Sequence, residues 1–168
     1  TDGSLIETEE TGTYQYRMSA AYWDDSMLKP FAFHIDGDPS STEAELQAIN
    51  ICVKANANTN IIDIYTDSTA AIRLTRIAKY KHTRITNYKN RYTLRDLRET
   101  LKGREILDAN EQPIDNSKKY IRLHHVYSHT QPNSPHRKNM YEMYGARASK
   151  HITGNNKVDI AAKGANLI

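Results

Sequence analysis

Four acidic residues stand where the chain changes element: Asp2, Glu45, Asp67 and Asp159. Asp2 lies at the end of an expected first strand and precedes Gly3. Glu45 falls in the first turn of a helix opened by Ser41 or Thr42. Asp67 follows a short apolar strand, Ile61–Thr66. Asp159 lies in the first turns of the last helix. Taken singly, each has an ordinary explanation. Asp-Gly makes turns, Asp caps helices, and an acid in a first turn is favoured by the helix dipole. Taken together they carry chemistry. In an open α/β sheet, strand ends and helix starts converge on one edge. Carboxylates gathered there repel one another unless cations neutralise them. A ligand set made only of carboxylates selects hard divalent ions, above all Mg²⁺. Two such ions about 4 Å apart suit in-line phosphoryl chemistry.

The elements that must position these acids follow from pattern. Residues 13–23 are Tyr-rich with partial alternation and read as a strand; residues 29–35 read as a second, closed by Asp36-Gly37-Asp38-Pro39. Thr42 to about Ala57 reads as a helix, with Ala44, Ala48, Ile51 and Cys52 at helical spacing. After the strand Ile61–Thr66, a helix is expected over 68–79, a basic connection over 80–87, and a helix over 88–102 with Leu94, Leu97 and Leu101 on one face. Residues 103–118 read as polar loop, Tyr120–Tyr127 as a strand, 128–153 as irregular chain, and Gly154 to about Ala165 as the final helix. The alternation gives an α/β layer architecture with a mixed sheet.

Composition removes other classes. The chain has 168 residues, 38% hydrophobic and 26% charged, which suits one globular domain. No run approaches the ~20 apolar residues of a membrane helix. No secretory leader is visible, which gives an expectation of a non-secreted protein of the nucleus or cytoplasm. The single cysteine, Cys52, excludes a disulfide framework or a four-cysteine zinc site and reads as a buried thiol. The chain starts Thr1-Asp2-Gly3-Ser4 without Met, and the first strand looks incomplete. We therefore expect a module trimmed from a longer polypeptide.

The net charge of +3 hides a division. Thr1–Asp63 holds 11 acidic and 3 basic residues, whereas Arg73–Arg104 holds 11 basic residues against Asp96 and Glu99. An acidic locus beside a basic surface suits an enzyme that holds cations in one place and a polyanion in another. A solvated helix face would account for the basic run alone. Tyr80, Tyr88 and Tyr92 interleave with it, either as stacking platforms or as boundary residues.

The text around the acids resembles a known family. Thr1-Asp2-Gly3-Ser4, Ala44-Glu45-Leu46-Gln47-Ala48-Ile49, Tyr65-Thr66-Asp67-Ser68, Val126-Tyr127-Ser128-His129 and Asn155-Asn156-Lys157-Val158-Asp159-Ile160-Ala161 resemble the successive motifs of ribonuclease H domains, cellular ones and those fused to reverse transcriptases. The blocks fall in the family's order and span nearly the whole chain. The resemblance implies a single ribonuclease H domain over 1–168. Its fold would be a five-stranded mixed sheet flanked by helices. Its activity would be metal-dependent hydrolysis of the RNA strand of RNA–DNA hybrids, with two Mg²⁺ ions and Mn²⁺ as a possible substitute.

Residue by residue, the resemblance implies that Asp2, Glu45, Asp67 and Asp159 are the metal-binding acids, and that His129 is the loop histidine that helps move a proton or release product. Glu45 is preferred to Glu43 because it directly precedes Leu46-Gln47-Ala48-Ile49, and Asp67 to Asp63 because it ends its strand. His124, His125 and His136 are rivals of His129. Expected substrate contacts are Gly3, Ser4, Ser41, Thr42, Ser68, Arg73, Lys79, Lys81, Arg84 and Asn155. Two departures stand out. Thirty residues separate His129 from Asp159, so 131–153 reads as an insertion. Hydroxyls at Ser40, Ser41 and Thr42 stand where family members often carry Asn before the second acid. The expected partners are an RNA–DNA hybrid and a polymerase or reverse-transcriptase domain in the same polypeptide, with no membrane. The alternative is a non-catalytic hybrid-binding or connector module of such a protein.

Overall fold

In the computed structural model, the described residues are 1–10, 13–37, 39–127 and 135–166. Two antiparallel hairpins build the first half. Strand β1 (Asp2–Glu10) pairs with β2 (Thr13–Asp24), and β2 with β3 (Lys29–Ile35). Helix α1 (Ser41–Ala55) follows. Its N-cap is Ser40, whose hydroxyl accepts the Glu43 amide at 3.2 Å, so the cap lies one residue before the Ser41 or Thr42 expected from sequence.

Strand β4 (Ile61–Thr66) runs parallel to β6 (Lys119–His125), with Ile61 opposite Tyr120 and Thr66 opposite His125. Between them come α2 (Thr69–Tyr80), a 3-10 turn at His82–Asn87, α3 (Arg91–Thr100) and β5 (Arg104–Leu107), which pairs in parallel with the other edge of β6. The polar pattern of residues 103–118 predicts loop, yet 104–107 form β5. The four residues of β5 are too few to show alternation, and their pairing with β6 makes them a strand.

The main core lies between α1, α2, α3 and one face of β4 and β6. Leu46, Ile49, Val53, Ile64, Leu94, Leu97, Leu101, Ile121 and Leu123 are buried there in one cluster. The predicted Leu94/Leu97/Leu101 stripe is the buried face of α3. Cys52 is buried. Arg104, counted in sequence with the basic surface, is 4% exposed and donates to the carbonyls of Asn56, Ala57, Asn60 and Tyr120. It ties the end of α1 to β4 and β6 and is not part of that surface.

On the opposite face lie α4 (Pro135–Tyr144), a 3-10 turn at Gly145–Arg147 and the start of α5 (Ala148–Asn166), whose later residues Val158 and Ala162 pack on Ala21 of β2. Residues 128–153 read as irregular in sequence, yet α4 and the start of α5 fill 135–153. Met140, Ala148 and Ile152 bury against Val126. These contacts join residues far apart in sequence, so local pattern does not show them. The same packing carries α5 back past Gly154, its expected start, to Ala148.

The fold is α/β with helices on both faces. Among the described residues its six strands form two three-stranded sheets, β1-β2-β3 and β4-β6-β5, rather than a single five-stranded one. Thr1 donates to the Tyr65 carbonyl at 2.8 Å, so β1 begins where β4 is ending. A groove of about 610 Å³ lies between Tyr22–Asp24 on β2 and Ile61–Tyr65 on β4.

Candidate active site

The geometry starts from Gly3. A Cβ on Gly3 would stand 2.5 Å from the backbone of Ala44 and Glu45, so only glycine lets α1 lie this close to β1. That approach sets Glu45 beside Asp2. Asp67 joins them from the end of β4. The hydroxyl that caps α2 is that of Ser68, which accepts the Ala71 amide at 3.1 Å; the Asp67 carboxylate is not used as the cap. Asp2, Glu45 and Asp67 each present an oxygen, and these lie within 4.8 Å of one another. Asp159 hydrogen-bonds Asp2 from α5. Lys163, one turn on, pairs with Asp159 at 3.0 Å. This partner was not singled out in sequence, although its i,i+4 spacing was the signal for it.

The electrostatics are those of crowded carboxylates in a dry place. Asp2 and Glu45 are 3% and 8% exposed. Burial, then the charge and hydrogen bond of Glu45, then Asp159 and Asp67, push the Asp2 carboxyl up to about 10. Burial foremost, with the charge of Asp67, pushes Glu45 up to about 7, against the lowering effect of hydrogen bonds from Asp2 and the Gly3 amide. Without a cation, the cluster holds protons in place of positive charge. Glu45 Oε2 is buried and has no hydrogen-bond partner among the described residues. An all-carboxylate donor set with an unpartnered buried oxygen fits a hard divalent cation.

The rival acids are engaged elsewhere. Glu43 faces α3, where it accepts from Asn90 at 2.7 Å and from the Thr93 hydroxyl. Asp63 lies on the sheet face away from the main core and binds Arg122 at 2.6 Å and His124 at 2.8 Å across β6. His124 is buried, and its ring stacks on Tyr65. His129 lies outside the described residues. His136 is exposed and stacks on Tyr127, ring centroids 4.4 Å apart.

The expected substrate contacts divide. Gly3, Ser4, Thr42 and Ser68 are half-buried, and Ser41 is exposed. Arg73, Lys81 and Arg84 are exposed on α2 and the turn after it, with Arg91 and Arg95 lying over the exposed ring of Tyr92 nearby. Lys79 instead donates to the Leu101 carbonyl at 3.2 Å, closing the end of α3. Asn155 is buried one turn before Asp159, and neither of its amide atoms has a partner among the described residues.

A family model described as RNase H matches residues 1–166 of this chain. No curated protein matches it. Among solved structures, the chain is similar to one of a foamy viral protease-reverse transcriptase in complex with dsDNA. The TM-score is 0.56 and the identity 18%, over 98% of this chain and 90% of that one. At that identity the likeness carries the fold.

Proposed function

We propose a function that starts from one fact: the chain belongs to the RNase H family. The function is endonucleolytic hydrolysis of the RNA strand of RNA–DNA hybrids, dependent on divalent cations. Mg²⁺ is the expected ion, with Mn²⁺ able to replace it. The host is a reverse-transcriptase polypeptide, in keeping with the fold it shares with a foamy viral protease-reverse transcriptase. The observation that carries this reading is the meeting of Asp2, Glu45 and Asp67 within 4.8 Å.

Asp2, Glu45, Asp67 and Asp159 would hold the cations. When bound, a cation pair polarises a phosphate oxygen and lowers the pKa of a bound water. The rest of the work falls to the chain. Gly3 fixes the spacing of Asp2 and Glu45. Lys163 holds the Asp159 carboxylate. Arg73, Lys81 and Arg84, exposed along α2 and the turn after it, would bind backbone phosphates. Ser41 and Thr42 offer hydroxyls to the 2′-OH of the RNA strand. His129 would help move a proton or release product, the role that the resemblance implies for it.

The test is cleavage of a labelled RNA–DNA hybrid in Mg²⁺, in Mn²⁺ and in EDTA, with single- and double-stranded RNA as controls. Cutting of the hybrid's RNA strand that stops in EDTA is the expected result. Salt-sensitive hybrid binding without cutting in either metal would instead mark a binding module.

A further inference from the structure

We propose that Glu43 is a positioning residue for the substrate: it ties the start of α1 to the start of α3, so that side chains on the two helices grip one duplex together. This rests on the function proposed above and names a residue outside the four acids on which the hold on the hybrid depends.

The buried carboxylate of Glu43 lies between the two helix starts. It accepts from the Asn90 amide at 2.7 Å and from the Thr93 hydroxyl, both at the start of α3. Gln47, one turn along α1, donates to it at 2.9 Å and also to the Asp36 carbonyl at 2.9 Å. The end of the β3 connection is thereby held to the same point. Asn90 stands at the N-cap of α3, where an Asn side chain ordinarily accepts an amide of its own helix. Here it makes no such bond and gives its amide to Glu43. The start of α3 forgoes its own cap for a tie to α1.

The tie is local. Further along, the two helices run side by side in the same direction. Asn50 donates to Asp96 at 2.8 Å, Thr100 donates to Asn50 at 2.7 Å, and Lys54 pairs with Asp96 at 2.8 Å. Leu94 and Leu97 share the core cluster with Leu46 and Ile49. Removing Glu43 therefore frees the helix starts without undoing the pair. Glu45, two residues on, is held separately, by the close approach of Gly3 and the hydrogen bond from its amide.

Each start carries groups suited to nucleic acid. On α1, Ser41 is exposed and Thr42 half-buried, both next to Glu43 in the chain. On α3, Tyr92 is exposed, and the guanidinium groups of Arg91 and Arg95 lie 4.9 and 5.9 Å from its ring centre. A planar ring bordered by two cations suits a sugar–phosphate backbone. A duplex presents two backbones at a set separation. Two surfaces bind it together only when they are held to match, and each alone holds it weakly. Glu43 fixes that match at the helix starts.

The experiment is steady-state cleavage of a labelled RNA–DNA hybrid in Mg²⁺ by the whole chain. The parent is compared with Glu43→Ala, with Arg91→Ala and Arg95→Ala together, and with all three changes, each below its own melting temperature. Glu43→Ala should raise KM about tenfold, as two weakened phosphate contacts would, with kcat within about threefold of the parent. The arginine changes should raise KM by a similar factor. Adding Glu43→Ala to them should raise it less than about twofold further, because the contacts that Glu43 positions are already gone. Glu43→Gln, whose amide oxygen still accepts from Asn90, should restore part of the KM. An unchanged KM for Glu43→Ala, a fall in kcat alone, or increases that simply multiply in the combined variant overturn the inference and leave Glu43 a residue of the fold. A parent chain that does not cut the hybrid at all overturns the proposed function instead, so the two failures are separate.

Discussion

A methyl group on Gly3 would collide with the backbone of both Ala44 and Glu45, and neither is a flexible side-chain end that could move aside. Gly3→Ala must therefore push α1 off β1, and Glu45 away from Asp2. Overpacking of this kind costs about 2 kcal/mol. We expect a melting temperature lowered accordingly and a larger loss in metal-dependent cleavage than the stability change explains, because misplacing one ligand damages the whole site. Urea unfolding together with cleavage rates at a temperature where the variant is folded checks this. Full activity in a destabilised variant would contradict it. Glu43 shows the same economy of position. It is two residues from Glu45, as buried and of the same type, yet Asn90 and Thr93 of the α3 segment claim its carboxylate. The Leu46-Gln47-Ala48-Ile49 text distinguished the two acids in the sequence. Gln47, one turn on, also donates to Glu43 at 2.9 Å, but Asn90 and Thr93 lie about 50 residues away and could not be read there.

At the scale of elements, β4 and β6 are joined on one face by apolar packing and on the other by Asp63, Arg122 and His124. The hydrogen bond from His124, and then those from Arg122, hold the Asp63 carboxyl well below the usual carboxylate range. A depressed folded value means that the stabilisation is present above the unfolded value, about 3.9, and is lost as pH falls through the folded value. Asp63→Asn should cost about 1 kcal/mol at pH 7 in this partly exposed cluster. The gap between variant and parent should begin to narrow as the pH drops below about 4 and should close only well below that. Denaturant midpoints at pH 7 and pH 3 decide the matter, and a gap of equal size at both would refute the role given to the ion pairs. The long periodic elements were legible beforehand. α1, α3 and β4 announce themselves by Ala44/Ala48/Cys52, by Leu94/Leu97/Leu101 and by Ile61–Thr66. The elements that were not legible exist through distant contacts. β5 depends on its pairing with β6, and α4 depends on Met140 meeting Val126, Ala148 and Ile152.

For the whole molecule, the split in charge has a spatial meaning. The acids that meet come from β1, α1, β4 and α5, so four separate stretches of chain must fold before the site exists. Sequence text named the four acids because each sits in a distinctive local string. It did not show the strand orders β1-β2-β3 and β4-β6-β5 found among the described residues. The central claim is that these carboxylates act as a cation-holding centre for phosphodiester hydrolysis, and Asp67→Asn tests it most directly. With Mg²⁺ and a labelled RNA–DNA hybrid, the variant should lose cleavage by about 1,000-fold, the several kcal/mol expected of a lost metal centre. Its hybrid affinity should stay within about threefold of the parent, because phosphate contacts dominate binding. A variant that cuts the hybrid at the parent's rate would contradict the account.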